Sequence, residues 1–237
     1  MLFDKFLDII NPQGIKCVIC GKDVGKDKYG FCDGCKKELP VNKRICQKCG
    51  VDLLTMDEFC DECAKRDLHF DEARSVCRYE GIAQQLVYRL KFGGQKYLSK
   101  PMARLMTEVL SAQDWQFDAV TFVPSSKATL KKRGYNQSQL IAQDICAIIN
   151  KPLLDLAEKV CDIPPQEKKT YDERFESMQG IFGLKQAPPE SVLIADDVKT
   201  TGATLSEMAK LLKENGCKKV YCITFASRIK TVPLADL

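Results

Sequence analysis

The amino-acid sequence predicts an α/β protein in which a parallel, doubly wound sheet follows a small Cys-rich module. Cysteine spacing is the first observation behind this prediction: eight of the 13 cysteines lie between Cys17 and Cys63, all in C-x-x-C pairs. The second is that, from residue 71 onward, short apolar runs alternate with amphipathic stretches of helical period, as in sheets covered on both faces. We therefore expect two domains, residues 1–70 and residues 71–237.

The composition is that of an ordinary globular protein, with 45% apolar and 29% charged residues among 237. No apolar run approaches the ~20 residues that a membrane-spanning helix needs. The first ten residues include acidic side chains and do not resemble a signal peptide. We therefore expect a cytoplasmic protein without membrane insertion. The formal net charge of +4 is too small to indicate nucleic-acid binding on its own.

The Cys-rich module contains an internal repeat. Residues 17–35 and 46–63 both read C-x-x-C-G-x-D and end in F-C-D-x-C. Each copy supplies four thiolates, which is the number that closes a tetrahedral Zn²⁺ site and leaves no position for a catalytic water. The predicted metal ligands are Cys17, Cys20, Cys32, Cys35, Cys46, Cys49, Cys60 and Cys63. Two structural zinc ions, one per copy, follow from the repeat, although pairing Cys17/Cys20 with Cys46/Cys49 is an open alternative.

Charge separates the two expected domains. Residues 1–70 contain 12 Lys+Arg and 12 Asp+Glu, so the remaining 24 basic and 20 acidic residues lie in residues 71–237. Each zinc ion with four thiolates adds about −2 to the first domain. The positive excess therefore lies in the second domain, which argues against the Cys-rich module as the main contact for nucleic acid.

Elements of the second domain follow from its hydrophobic pattern. Strands are expected at residues 73–79, 118–124, 191–195 and 219–226. Helices are expected at residues 82–91, from 99–101 onward, at 137–149, and over the stretch that ends at Asn215–Gly216. In parallel sheets of this kind, ligands bind beyond the carboxyl ends of the strands.

One predicted strand end combines acidic residues with a phosphate-binding pattern. Asp196 and Asp197 follow the strand, and Thr200, Thr201, Gly202, Ala203 and Thr204 come at the expected start of a helix. Free backbone N–H groups and the helix dipole favour a phosphate there. The two acids would repel a phosphate unless they face a sugar diol or Mg²⁺. The pattern therefore predicts a ribose 5-phosphate site, with both carboxylates reachable from solvent.

Residues 192–204 resemble the ribose-phosphate signature of type I phosphoribosyltransferases: four apolar residues, two acids, then T-T-G-x-T. Together with the paired C-x-x-C modules, the chain resembles the ComF family of competence proteins. Further matching features are Lys91-Phe92, Val123-Pro124, RGYNQ at 133–137, Gln166, Arg174 and residues 180–182. Ser177 departs from the pattern, because relatives usually carry asparagine there.

The resemblance implies roles for individual residues. Asp196 and Asp197 would bind the ribose hydroxyls of phosphoribosyl pyrophosphate, with Mg²⁺ accompanying that ligand, and Lys199 to Thr204 would hold its 5-phosphate. Ser125, Ser126 and Lys127 occupy the position of the pyrophosphate loop, and Lys131, Lys132 and Arg133 would neutralise its charge. Without the family, residues 127–137 read as a basic, glycine-containing loop. The same cations, with Tyr135 as a stacking ring, would suit single-stranded DNA.

Two function classes follow. The first is a ComF-type competence factor that handles single-stranded DNA during natural transformation and retains a site for phosphoribosyl pyrophosphate or a nucleotide. In this hypothesis the zinc module also offers a surface for other DNA-uptake proteins. The alternative is an active phosphoribosyltransferase that transfers ribose 5-phosphate to a base or an amine. The resemblance, rather than composition, supports the competence role.

Overall fold

A computed structural model describes residues 16–24, 30–160 and 180–228 of the chain. Its strands are β1 (Glu72–Arg78), β2 (Ala119–Phe122), β3 (Ala157–Lys159), β4 (Phe182–Leu184), β5 (Ser191–Lys199) and β6 (Lys219–Ser227). Four of them form a parallel sheet in the order β1-β6-β5-β2, and β3 pairs with β4 in a separate two-stranded antiparallel sheet. Cys161 and the family features at Gln166, Arg174 and Ser177 lie outside the described residues.

The helices of the described chain begin in the cysteine region. They are α1 (Asp33–Lys37), α2 (Asp61–Lys65), α3 (Gly81–Phe92), α4 (Ser99–Ser111), α5 (Lys127–Arg133), α6 (Gln137–Ile149) and α7 (Ala203–Glu214). A short 3-10 helix, Lys96–Leu98, leads into α4. Across the described residues, none of the helices has the length and apolarity to cross a bilayer.

The main sheet is covered on both faces. Leu193 and Ala195 of β5 pack into a hydrophobic cluster with residues of α3, α4 and α6. Val192 and Ile194, which alternate with them, pack into a second cluster with residues of α7. Because successive side chains of a strand point to opposite faces, this division is that of a doubly wound sheet. The predicted fold class is confirmed.

Two local predictions were wrong. The first concerns β5, which extends through Lys199 rather than ending at Ala195, because β6 pairs with it over nearly its whole length, including Asp196 opposite Thr224. The second concerns residues 127–133, which form helix α5 rather than a loop. The Ser126 hydroxyl caps this helix by accepting a hydrogen bond from the Thr129 backbone N–H, and Gly134 ends it with φ +79°.

The two cysteine repeats adopt corresponding local structures. Each has an antiparallel bridge across its first turn, Lys16 with Asp23 and Ile45 with Asp52. Each also has a short helix that begins directly after its third cysteine. We call residues 16–24 and 30–38 the first ribbon and residues 45–65 the second ribbon. The first contributes Cys17, Phe31 and Cys35 to the α3/α4/α6 cluster, whereas the second contributes Cys46, Cys49 and Val51 to the α7 cluster. The domain boundary after residue 70 stays a prediction.

Candidate metal centres and phosphate site

The structure groups the cysteines sequentially into two quartets, one in each ribbon. The quartets are Cys17, Cys20, Cys32 and Cys35, and Cys46, Cys49, Cys60 and Cys63, with the sulfurs of each quartet within 4.8 Å of one another. Cys20 Sγ lies 3.6 Å from Cys32 Sγ, and Cys49 Sγ lies 3.7 Å from Cys60 Sγ. A tetrahedral zinc ion with Zn–S bonds of about 2.3 Å places its sulfurs about 3.8 Å apart. Both quartets therefore fit structural zinc.

Lys199 connects the second quartet to the predicted phosphate loop. Its side chain is buried, and Nζ lies 3.6 Å from the Sγ atom of Cys49. The resemblance assigned Lys199 to the 5-phosphate, but its ammonium faces the metal centre instead. A buried cation needs a partner of opposite charge, and a zinc–tetrathiolate centre carries about −2. Lys199 therefore belongs to the surroundings of the second metal centre, while its backbone continues into the loop.

The acid pair is buried, contrary to the expectation of solvent-reachable carboxylates. Asp196 and Asp197 are 8% and 2% exposed. Asp196 Oδ1 accepts hydrogen bonds from the Ser138 hydroxyl at 2.6 Å and from the Asp197 backbone N–H at 2.9 Å. Gln137 Nε2 donates to Asp197 Oδ1 at 3.3 Å, and Lys91 Nζ lies 2.7 Å from Asp197 Oδ2. The pair is covered because β5 continues through it and because the start of α6 and the end of α3 lie over it.

This arrangement shifts the pKa values of the two carboxyl groups in opposite directions. Burial and the neighbouring Asp197 raise the pKa of Asp196 to about 7 despite Lys91 and the Ser138 hydrogen bond. Burial also opposes ionisation of Asp197, but the charge and hydrogen bond of Lys91 outweigh it and lower its pKa. The pKa of Lys91 is raised, because the two aspartates outweigh its burial. Asp197 is thus the ionised partner of Lys91, and Asp196 binds a proton readily.

Three residues of the R-G-Y-N-Q segment (133–137) make side-chain contacts near the start of α6. The Arg133 guanidinium lies 5.2 Å from the centre of the Phe92 ring and donates to Gln137 Oε1. Asn136 caps α6 by accepting from the Ser138 N–H at 3.0 Å and donates to the Val123 carbonyl at 2.9 Å. The segment thereby holds the start of α6, with Gln137 and Ser138, over the acid pair.

Tyr135 does not present the free stacking ring that the sequence suggested. It is half-buried, its hydroxyl donates to the Leu90 carbonyl, and Lys96 Nζ lies 4.8 Å from its ring centre. Burial raises the pKa of the Tyr135 hydroxyl. Because the ring is half-buried and its hydroxyl is engaged, Tyr135 joins α3 to the R-G-Y-N-Q segment.

The predicted phosphate loop, called the phosphate loop below, runs from Thr200 to Thr204, and α7 begins at Ala203. Gly202 has φ +81°, a conformation that favours glycine, and the Ala203 N–H donates to the Thr201 hydroxyl at 3.2 Å. A cleft separates this loop from the second ribbon. Its walls include Leu53, Leu54, Phe59, Thr200, Thr201 and Arg228.

The residues predicted to contact pyrophosphate differ in whether their side chains are exposed to solvent. Lys127, Lys131 and Lys132 are exposed on α5. Ser126 is buried and its hydroxyl caps the helix, whereas Ser125 is half-buried. Arg133 is engaged with Phe92 and Gln137. The exposed lysines are therefore the part of this group best able to meet an anion from solvent.

Three residues of the site were not singled out from the sequence: Lys91, Gln137 and Ser138. Gln137 lies in the R-G-Y-N-Q segment and Ser138 follows it directly, so the family pattern could have indicated both. Lys91 was noted only as part of Lys91-Phe92, and its partner Asp197 is more than one hundred positions away in the sequence. The pattern alone does not show that Lys91 faces the acid pair.

Comparison with known protein families shows which domain each part of the chain resembles. Residues 6–79 match the double zinc ribbon domain family, and residues 154–235 match the phosphoribosyl transferase domain family. The chain therefore combines a segment that matches the double zinc ribbon family with a segment that matches the phosphoribosyl transferase domain family. This is the combination of domains that the resemblance to the ComF family predicts.

Several relatives match over nearly the whole chain. Competence protein F of Haemophilus influenzae is 27% identical over 90% of this chain and 96% of its own length. DNA utilization protein YhgH of Escherichia coli is 24% identical over 87% of this chain and 95% of its own. Competence protein ComFC of Streptococcus pneumoniae is 24% identical over 87% and 97%. Among solved structures, orotate phosphoribosyltransferase from Aeropyrum pernix is 19% identical, with TM-score 0.28, over 62% of this chain and 58% of that one.

Proposed function

We propose that this protein is a ComF-type competence factor that handles single-stranded DNA inside the cell during natural transformation. We also propose that it binds phosphoribosyl pyrophosphate or a related nucleotide. The relatives support the first part, because their names place them in competence and DNA utilization. The phosphoribosyl transferase domain supports the second part.

The observation that carries the ligand proposal is the sequence of features at the carboxyl end of β5. The buried acid pair is followed within three residues by a loop whose backbone turns at Gly202 into the N-terminus of α7. In the proposal, backbone N–H groups of residues 200–204 bind the 5-phosphate. The carboxyl groups of Asp196 and Asp197 face the ribose hydroxyls and supply oxygen ligands to the Mg²⁺ that accompanies pyrophosphate.

Binding at the acid pair requires an exchange of partners. Asp197 is paired with Lys91 and Gln137, and Asp196 accepts from Ser138. A ribose diol that binds there replaces part of this internal network with its own hydroxyls. Lys91 then remains next to the ligand as a cation. The affinity is therefore a difference between two hydrogen-bonded states rather than the full strength of the new contacts.

Calorimetric titration with phosphoribosyl pyrophosphate, with and without Mg²⁺, tests this part. Asp196→Asn is the informative variant, because an amide oxygen can still accept from Ser138 and a neutral side chain resembles the protonated acid. We expect at least a tenfold loss of affinity in Asp196→Asn and none in Asp155→Asn, a control whose half-buried aspartate pairs with Lys185 instead of Lys91. Absence of any binding heat from the wild-type protein at millimolar ligand would contradict the proposal.

Salt dependence tests the DNA part. In the proposal, Lys127, Lys131 and Lys132 contact phosphates of the strand, so pyrophosphate and DNA compete for them. Replacing Lys131 and Lys132 by alanine should reduce the slope of log affinity against log salt by about 1.4, at about 0.7 per phosphate contact. The matched control replaces the adjacent lysines of α1, Lys36 and Lys37, and should leave the slope unchanged. An equal decrease in both variants would place the contact elsewhere.

A second candidate function, transfer of ribose 5-phosphate to a base or an amine, is favoured by the cleft beside the phosphate loop. Its walls combine apolar side chains of the second ribbon, such as Leu54 and Phe59, with Thr200 and Arg228. Such a lining suits an organic group next to a bound anion. Release of pyrophosphate when bases or amines are added to the protein with phosphoribosyl pyrophosphate and Mg²⁺ would establish the transferase. Ligand binding without release would leave the protein a binder.

A further inference from the structure

Two segments of the chain contain basic residues and no acidic ones. In residues 81–107 the basic residues are Arg89, Lys91, Lys96, Lys100 and Arg104, and in residues 119–143 they are Lys127, Lys131, Lys132 and Arg133. The structure brings the two segments together. Arg133 lies over Phe92, Tyr135 donates to the Leu90 carbonyl, and Lys96 lies over Tyr135. The two segments therefore form one basic region, within which Lys91 is paired with Asp197.

Exposed aromatic rings are concentrated in this same region. Among the described residues, four aromatic side chains are largely exposed: Phe59 at 48%, Tyr88 at 61%, Phe92 at 64% and Tyr97 at 56%. Three of them lie between residues 88 and 97, and we call Tyr88, Phe92 and Tyr97 the aromatic surface. Large apolar side chains that are exposed together, rather than singly, commonly mark a binding site.

Contacts with neighbouring side chains hold the rings of the aromatic surface in place. The Tyr88 and Phe92 ring centres are 5.2 Å apart, and the Arg133 guanidinium lies 5.2 Å from the Phe92 centre. The Tyr97 hydroxyl donates to Gln95 Oε1 at 2.8 Å and accepts from Arg89 at 3.4 Å. Each ring therefore has fixed neighbours and still exposes more than half of its surface. Because the rings are already fixed, less side-chain conformational entropy is lost when a ligand binds.

We propose that the aromatic surface stacks the unpaired bases of single-stranded DNA, while the surrounding lysines contact the strand's phosphates. This inference rests on the proposed DNA-handling function and names its base-contacting residues, which replace Tyr135 in that role. Rings and cations on two neighbouring segments that contain no acidic residues match a polyanion with free aromatic faces. Duplex DNA fits less well, because its base faces are stacked on one another.

Anisotropy titrations with a labelled oligothymidylate test the inference. Phe92→Ala and Tyr88→Ala should each weaken binding about tenfold, since a stacked base contributes roughly 1–3 kcal/mol. The slope of log affinity against log salt should stay unchanged, because no cation is removed. Phe92→Trp should retain the affinity, whereas Phe92→Leu should lose it. Binding of a duplex of the same length should change less than twofold in all four variants.

Ile148→Ala is the control, because it removes a large apolar side chain that is 48% exposed and lies outside both acid-free segments. It should bind the oligonucleotide as the wild-type protein does. The fold is monitored through Trp115, the single tryptophan, which stacks on Tyr221 at 4.7 Å between ring centres. If wild-type protein binds but Phe92→Ala and Tyr88→Ala bind equally well, the inference is wrong and the proposed function stands. If wild-type protein does not bind single strands, the DNA part of the proposed function fails, and the inference fails with it.

Discussion

The two ribbons are copies in sequence, but their surroundings differ. Gly21 of the first ribbon and Gly50 of the second follow equivalent cysteines, and both have positive φ, +73° and +66°. A Cβ atom on Gly21 would meet nothing within 4 Å, whereas one on Gly50 would lie 2.4 Å from the Ala73 carbonyl oxygen. The second cysteine of the first ribbon, Cys20, is exposed, but its counterpart Cys49 is buried against Lys199.

The two copies of the metal module therefore have different neighbours in the fold. The first ribbon is held to α3 through a hydrogen bond from Arg89 to the Val18 carbonyl at 2.6 Å. The second ribbon packs against β1, faces the phosphate loop across a cleft, and contacts Lys199 at the end of β5. Both ribbons fit a zinc ion, but only the second is in contact with the candidate ligand site through the described residues. We therefore expect damage to the two ribbons to have unequal effects on ligand binding.

Loss of one zinc ligand should give the largest effect. Cys49→Ser and Cys20→Ser should each reduce the zinc content from two ions per chain toward one, because a structural zinc site supplies much of the folding energy of its module. Cys49→Ser should also weaken binding of phosphoribosyl pyrophosphate at least tenfold, whereas Cys20→Ser should leave it nearly unchanged. Metal analysis and calorimetry on the same preparations measure both quantities. Equal loss of ligand binding would remove the distinction between the ribbons.

The equivalent glycines should give the next largest effect. Gly50→Ala combines a left-handed backbone conformation with a backbone overlap at Ala73 and Arg74, so we expect a loss of at least ~3 kcal/mol in the free energy of unfolding. Gly21→Ala has only the conformational cost, about 1–2 kcal/mol. Denaturant titrations of both variants measure the difference. A Gly21→Ala variant as unstable as Gly50→Ala would show that the first ribbon is equally constrained.

The sequence predicted the features that depend on local pattern. C-x-x-C spacing predicted the eight metal ligands and the repeat favoured their sequential grouping, with the interleaved grouping left open until the structure. The alternation of apolar runs with helical stretches predicted the sheet and its covering helices. The errors concern contacts between distant residues. The burial of Asp196 depends on pairing with β6 and on Ser138, and Lys199 faces Cys49, 150 positions away. Periodicity within one segment contains no information about such partners.

In the basic segment the error about the helix was local, whereas the position of Tyr135 depends on distant partners. A run of lysines with one glycine reads as a loop, but the Ser126 cap and Gly134 together define a helix of 7 residues. Ser126 was a readable capping signal, because serine is among the residues preferred directly before the first turn of a helix. The position of Tyr135 was not readable, because it depends on the Leu90 carbonyl and on Lys96. Which aromatic rings remain exposed is decided by packing, so Phe92 and Tyr88 emerged only from the structure.

Equivalent aspartates provide a smaller test of the comparison. Asp52 of the second ribbon is buried, accepts from the backbone N–H groups of Lys43 and Arg44, and pairs with Arg78 at 2.9 Å. Its counterpart Asp23 is 61% exposed and lies 3.8 Å from Lys16. Asp52→Asn should cost about 2 kcal/mol of stability, because it leaves Arg78 with a weaker partner. Asp23→Asn should cost less than ~0.5 kcal/mol. Thermal unfolding in low and high salt measures both, and similar losses would count against the difference.

The smallest expected effect concerns Lys199 and Arg89. Lys199 contacts the second ribbon from β5, and Arg89 contacts the first ribbon from α3. Lys199→Met keeps the length of the side chain but removes the ammonium beside Cys49, so the second zinc ion should be lost to a chelator several times faster. Because the Lys199 backbone leads into the phosphate loop, affinity for phosphoribosyl pyrophosphate should decrease about threefold to tenfold. Arg89→Met breaks the hydrogen bond to Val18 of the first ribbon and should leave that affinity unchanged. Chelator kinetics with a colorimetric zinc indicator and calorimetry distinguish the cases. Unchanged affinity in Lys199→Met would mean that the second metal centre and the phosphate loop are neighbours without energetic coupling.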